Sequence, residues 1–304
     1  MNTEHFSYSA AVREAIDAHK PVVALESTVI AHGLPHPQNL DTARRLEQIV
    51  TEGRAIAATI AILRGVLSIG LNPDQVKHIA QSREIKKIST RDLPIAVAQG
   101  WDGATTVATT CWIAQRAGIQ VFATGGIGGV HRGSLPDVSA DLPELERTPI
   151  IVVCAGAKTV LDLPATREWL ETHGVTVLGY QCDELPAFYS RKSGLPVDAR
   201  VESADQVAQI YKAQRALGIE SALLVTVPVP AEAEVPAAVL ENTLDESLAA
   251  AVKEGIGGRE LTPFLLSRMA RQSEGATLKA NIALLENNVR VATAIASTLK
   301  NSNQ

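Results

Sequence analysis

The sequence predicts an α/β protein, a single three-layer α/β/α domain in which helices cover both faces of a mostly parallel central sheet. Two observations predict it. Short β-branched or alanine-rich runs alternate with segments whose apolar residues recur at helical spacing. The 304-residue chain is 46% hydrophobic but only 4% aromatic, so aliphatic side chains must fill the space between helices and sheet. The domain is expected to occupy 1–304, with its core over about 10–299 and frayed termini.

The first candidate strand is 21–25, a short apolar run. Leu40, Ala43, Leu46, Ile49 and Val50 then form an apolar stripe with Arg44, Arg45 and Glu47 between them, which is a helix leading to a second strand at 56–63. Helices are expected at 73–81 and 106–117. Strands at 121–124 and 150–154, a helix at 165–172, a strand at 175–178, a helix at 204–216 and a strand at 222–225 continue the alternation. Helices at 235–253, 261–271 and 276–299 close the chain. No internal repeat or low-complexity tract interrupts it.

Composition excludes several classes of partner. With 28 basic against 33 acidic residues and a net charge of −5, the chain lacks the basic stripe that binds a phosphate backbone, so nucleic acid is not expected. Cys111, Cys154 and Cys182 are widely separated and odd in number, which suits neither a disulfide framework nor a zinc cluster and favours a reducing compartment. The polar start, MNTEHFSYSA, has no charged segment followed by an apolar one, and no run approaches the roughly 18 apolar residues of a spanning helix. A cytoplasmic protein that does not engage a membrane is expected.

In open α/β sheets, ligands gather beyond the carboxyl ends of the strands. Four such segments carry the candidate chemistry: Glu26-Ser27-Thr28, the glycine-rich 124–133, Ala155-Gly156-Ala157-Lys158 and Val227-Pro228-Val229-Pro230. The glycine-rich segment places His131 where a dinucleotide fingerprint needs a small residue, and Gly156-Ala157-Lys158-Thr159 lacks the Gly-Lys pair of a P-loop. A tight loop that presents backbone N–H groups accounts for the glycines equally well.

Lys158 lies between small and apolar neighbours just after a strand expected to be buried. Desolvation would make its amine a nucleophile toward a carbonyl or latent aldehyde; the competing reading is a lysine snorkelling from a helix start. Glu26 is either a general acid with a raised pKa or a cap. Asp137 and Asp141 would share one face if their segment were helical, and such carboxylates suit Mg²⁺ or Mn²⁺; capping of a following helix by Ser139 or Asp141 competes. Lys87 and the turn at Thr105-Thr106 suit a phosphate, or else a solvated basic face followed by an ordinary N-cap. His32 and His131 follow turn or strand segments, and no catalytic triad can be chosen among the scattered histidines.

Taken in order, Val22-Val23-Ala24-Leu25-Glu26-Ser27-Thr28, Lys87 with Arg91-Asp92-Leu93-Pro94, Gly103-Ala104-Thr105-Thr106-Val107-Ala108, the 123–133 segment, Asp137 to Asp141 and Val153-Cys154-Ala155-Gly156-Ala157-Lys158 resemble the pseudouridine-5′-phosphate glycosidase, or indigoidine synthase A-like, family. Thr262-Pro263-Phe264-Leu265-Leu266 and Leu278-Lys279-Ala280-Asn281-Ile282 extend the resemblance from about residue 10 to about residue 295. Each motif is weak alone; their shared order is specific.

The resemblance implies reversible cleavage of the C–C glycosidic bond of pseudouridine 5′-phosphate to uracil and ribose 5-phosphate, a lyase when named for the synthetic direction. It implies Lys158 as covalent nucleophile, Glu26 as proton donor, and Lys87, Val107, Ser139, Ala140, Asp141 and Asn281 as substrate contacts. It also implies Asp137 as ligand of one divalent metal, Mn²⁺, and a homotrimer acting on a small-molecule substrate. The chain departs from the family's Asn-Pro-hydrophobic-Pro loop by carrying Val227, and 191–204 holds no motif. A role in a pigment pathway, a sugar-phosphate lyase or aldolase that uses Lys158, and a noncatalytic nucleotide-binding protein are the alternative readings.

Overall fold

Val22, Val23, Ala24 and Leu25 are buried without alternation, as a strand covered on both faces requires. That strand is β2 (Val22–Leu25) in a computed structural model that describes residues 5–133, 137–258 and 261–301. Before it come β1 (Phe6–Tyr8) and α1 (Ala10–Asp17). After it a π-helical turn (Val29–Gly33) leads to α2 (Gln38–Glu52), whose expected stripe of Leu40, Ala43, Leu46, Ile49 and Val50 is wholly buried. There follow β3 (Ile56–Leu63), β4 (Val66–Ile69), α3 (Pro73–Gln81), β5 (Lys86–Ile88), α4 (Leu93–Ala98), β6 (Gly103–Thr105) and α5 (Val107–Arg116).

The second half contains β7 (Val121–Ala123), β8 (Val130–His131), α6 (Asp141–Arg147), β9 (Ile151–Cys154), β10 (Leu161–Asp162), α7 (Leu163–Thr172), β11 (Thr176–Tyr180), β12 (Ala199–Val201), α8 (Ala204–Ala216) and β13 (Leu223–Thr226). Helices α9 (Ala237–Glu254), α10 (Leu261–Gln272) and α11 (Ala276–Asn301) complete it. Local signals fix several boundaries. Asn72 and Gln75 form a reciprocal capping box with Pro73 at the first helical position, and Ser203 accepts the N–H of Gln206, so α3 and α8 begin where the sequence places them.

Strands β3, β2, β7, β9, β13, β11 and β12 are parallel neighbours in that order. Helix α11 lies against β2, β7 and β9 and beside α2 and α8; α5 covers β2, β3 and β7 and is followed by α6 and α7. This is the expected layered arrangement. It departs from expectation at one edge, where β3 pairs antiparallel with both β4 and β6. The β3–β4 hairpin turns on Arg64 and Gly65, with φ of 51° and 77°, rather than on the Asn-Gly pair that marks such turns in sequence.

The spacing of Asp137 and Asp141 does not reflect a shared helical face. Residues 137–140 precede α6, which begins at Asp141. Ser139 Oγ accepts the N–H of Asp141 at 3.2 Å and so ties down the start of α6, although the N-cap position itself is Ala140. Pro136, the first residue of that motif, lies outside the described residues.

Candidate active site

The chain leaves β2 on one side to form β3 and returns on the other as β7, so the sheet has a topological switch point between β2 and β7. A cavity of about 320 Å³ opens there. Glu26, Lys87, Val107, Asp137, Ser139, Ala140, Asp141, Lys158 and Asn281 all line it, although they come from six separate stretches of chain.

Leu25 and Ala123 are register partners on β2 and β7, which sets the next residues, Glu26 and Thr124, beside each other. The Thr124 hydroxyl donates to Glu26 Oε1. Glu26 is buried, and burial raises its carboxyl above the ordinary value of 4.5; Lys158, the Thr124 hydroxyl and Lys87 hold back the rise, while Asp141 adds to it. Among the described residues the Glu26 side chain accepts no helix N–H, so it does not act as a cap there.

Lys158 is half-buried in the loop between β9 and β10, and no helix starts there from which it might snorkel. Its backbone N–H donates to Ile127 O at 3.2 Å, and Ile127 in turn donates to Gly156 O at 3.1 Å, so the lysine loop and the glycine-rich loop are laced together. Gly156 has φ +83°, and a Cβ there would stand 2.0 Å from Pro186 O. The thiols are poor competitors for the nucleophile's role: burial pushes Cys154 up to about 12 and Cys182 up to about 11, and raises Cys111 well above its usual range.

Lys87, central in β5, is accompanied in the lining by Ser89, Arg91, Thr106 and Val107. Thr106 is the N-cap of α5, and its hydroxyl accepts the N–H of Thr109. The first turn of α5 and these cations face one cavity, a setting suited to an anion. Thr105 is different from expectation. Its hydroxyl is fully buried, donates to Ile60 O at 2.8 Å and receives that of Thr110 at 2.9 Å, so it braces β3 against α5.

Asp141 is buried, and its two oxygens accept the N–H groups of Ala108 at 2.9 Å and Gly128 at 2.8 Å. A Cβ on Gly128 would lie 2.2 Å from Ser139 Oγ, so close approach rather than special φ explains this glycine. His131 is half-buried; burial lowers its imidazole below the ordinary 6.5 against the pull of Asp137, and Lys87 and Lys158 lower it further.

The remaining wall comes from α10, with Thr262, Pro263 and Leu266, and from α11, with Asn281. Sequence reasoning missed Phe188, which lines the cavity from a left-handed position at φ 64° and would meet a Cβ on Gly126 at 2.6 Å. It also missed the role of Thr124. Val227 is buried outside the lining, and its N–H donates to Cys154 O at 2.8 Å; Arg191 Nη1 holds the same loop through Val229 O at 2.7 Å.

Among the described residues, no three His, Cys, Asp or Glu side chains gather as a metal cage. The exposed carboxylate of Asp137 fits only a hard cation that keeps most of its water, as Mg²⁺ and Mn²⁺ do when bound by one or two carboxylates and substrate oxygens. Among the described residues, no helix is long and apolar enough to cross a membrane.

The chain is similar to known proteins over nearly its whole length. The family profile described as "Indigoidine synthase A like protein" matches residues 11–298. A protein of Caldanaerobacter subterraneus subsp. tengcongensis named pseudouridine-5′-phosphate glycosidase is 50% identical over 96% of this chain and 95% of its own. One of Clostridium botulinum with the same name is 46% identical over 100% of both. Among solved structures, an indigoidine synthase A-like protein of Thermotoga maritima superposes with a TM-score of 0.90 at 38% identity, covering 97% of this chain and 96% of its own. The prealnumycin C-glycosynthase in complex with ribulose 5-phosphate gives 0.91 at 38% identity, covering 99% of each chain.

Proposed function

The chain belongs to the indigoidine synthase A-like family, and from that membership we propose that it is a pseudouridine-5′-phosphate glycosidase, cleaving the C–C bond between ribose C1′ and uracil C5. The observation that carries the reading is the convergence of Lys158 and a buried Glu26 on one cavity in a chain whose full-length relatives bear that name.

A carbon-linked base is a poor leaving group from an intact ribose, so the chemistry needs another electron path. Glu26 protonates the ring oxygen O4′ as the C1′–O4′ bond breaks, with electrons supplied from the uracil ring. The Lys158 amine then adds to C1′ and loses a proton. Protonation of uracil C5 lets the C1′–C5 bond break while the nitrogen lone pair forms the C1′ iminium, which water hydrolyses to ribose 5-phosphate and free lysine. Lys87, Thr106 and the start of α5 at Val107 hold the phosphate, and thereby spend binding energy remote from the reacting bond on placing C1′ at Lys158. Ser139, Ala140, Asp141 and Asn281 shape the remainder of the pocket.

Asp137 would hold a hydrated Mn²⁺ or Mg²⁺. When bound, such an ion supplies positive charge and ordered water beside the substrate's oxygens. The protein's own contributions are the positions of Glu26 and Lys158, the burial that raises the Glu26 carboxyl's hold on its proton, and the cationic end of the cavity. The three free cysteines fit a reducing cytoplasm, and a homotrimer completes this reading.

Chromatographic detection of uracil released from pseudouridine 5′-phosphate tests the function, with Mn²⁺ present and Lys158→Ala as control. Release by the wild type but not by the variant is expected. A folded wild type that releases none overturns the assignment, and a C-glycosynthase acting on a sugar phosphate, the class of the 38%-identical structural relative solved with ribulose 5-phosphate, becomes the reading to test.

A further inference from the structure

We propose that Thr124 is a positioning residue that decides which oxygen of Glu26 carries the transferable proton: its hydroxyl occupies Oε1, so the proton rests on Oε2. The proposal deepens the glycosidase reading and rests on Glu26 being the proton donor.

The geometry leaves the threonine hydroxyl little choice. Among the described residues its acceptor is Glu26 Oε1. Its backbone is held from both sides: the N–H donates to Val153 O at 3.0 Å, and the carbonyl accepts Nδ2 of Asn288 at 2.8 Å. Asn288 is itself fully buried on α11, and its amide also reaches Gly125 O at 3.3 Å. The β2–β7 register fixes the neighbouring strand end, so the main chain holds Thr124 and Glu26 side by side and their side chains close the bond. An oxygen that already accepts a hydrogen bond is the worse place for the acid proton, which therefore occupies the other oxygen.

A hydroxyl that donates to the carboxylate also favours the ionised form, so Thr124 opposes the burial that raises the Glu26 carboxyl. The other groups acting on Glu26 are Lys158 from the loop after β9, Lys87 from β5 and Asp141 from α6. The Cys111 thiol of α5 and His32 of the π-helical turn lie in the same surroundings. None of these is changed by substitution at Thr124. Removing the hydroxyl should then have two separable effects: a loss of orientation and a rise in the pH at which the acid is lost.

The experiment compares wild type, Thr124→Val, Thr124→Ala and Thr124→Ser for kcat, KM and the pH profile of uracil release, with circular dichroism as the check on folding. The hydroxyl-free variants should lose about tenfold or more in kcat, the worth of one ordinary hydrogen bond, with KM little changed. Their alkaline limb should move to higher pH, and Thr124→Ser should restore both properties. Unchanged kcat and an unmoved limb in a folded hydroxyl-free variant overturn the proposal. Infrared titration of the carboxyl band with ¹³C-labelled glutamate, assigned by its loss in Glu26→Gln, separates this failure from failure of the glycosidase reading. If the wild type releases no uracil, a raised midpoint in Thr124→Val still upholds the Thr124–Glu26 coupling, whereas an unchanged midpoint refutes it.

Discussion

Asp141 Oδ2 accepts the N–H of Gly128 at 2.8 Å while Oδ1 accepts that of Ala108 at 2.9 Å, so one buried carboxylate clamps the glycine-rich loop to the first turn of α5. A carboxylate is suited to this because it offers acceptors to both donors and complements the positive end of the helix. Asp141→Asn replaces one acceptor with a donor and leaves a buried N–H facing it. We expect a loss of about 3 kcal/mol in urea unfolding, from an unpaired buried donor and a lost charge-assisted bond. Activity should fall with it, because Val107 and Gly128 both line the cavity.

Gly156 and Gly128 predict different failures. At Gly156 a side chain meets both a left-handed φ of +83° and a backbone carbonyl 2.0 Å away, and neither can give without moving the Lys158 loop. Gly156→Ala should therefore cost about 2 kcal/mol or more and abolish turnover. At Gly128 the first atom met is the Ser139 hydroxyl, but Asp141 Oδ2 stands only 2.7 Å away. The double variant Gly128→Ala with Ser139→Gly should recover part of the stability lost in Gly128→Ala alone, measured by the same unfolding.

The raised pKa of Glu26 has a consequence for stability. The folded state holds this proton more tightly than the unfolded chain, so the associated stability is full below 4.5 and is lost as pH rises through the folded-state value. Glu26→Gln removes that dependence. Its Tm relative to wild type should rise progressively as pH is raised from 4.5 upward, and a difference that stays flat with pH would contradict the burial argument.

Phosphate anchoring is tested by Lys87→Ala. Loss of one charge-assisted contact should raise KM for pseudouridine 5′-phosphate by about tenfold to a hundredfold. Turnover of unphosphorylated pseudouridine, which without its anchor should be a poor substrate, should change far less. Equal effects on the two substrates would place Lys87 elsewhere than at the phosphate.

In the parallel core β2, β3, β7, β9, β11 and β13 were legible because each is a short apolar run, and α3 and α8 because Asn72 and Ser203 announce their starts; β12, with two of its three residues exposed, was not. Strands β4, β5 and β6 were not, since β4 and β6 form by pairing with β3 and β5 by pairing with β6, partners that no local pattern announces. Glu26 and Lys158 could be found because they follow buried strands in the sheet. Asn281 comes from α11, far along the chain, and only the family resemblance pointed to it. Nothing local marks Phe188, whose left-handed backbone is imposed by the contact of its N–H with Ala155 O at 3.0 Å and by the packing of its ring on Gly126.

The most direct test of the account is reductive trapping during turnover. The enzyme is incubated with pseudouridine 5′-phosphate and cyanoborohydride, and its peptides are analysed by mass spectrometry. The account predicts a ribose 5-phosphate-derived adduct on the peptide that carries Lys158, absent from Lys158→Ala. An adduct on another residue, or undiminished uracil release by Lys158→Ala, would contradict it.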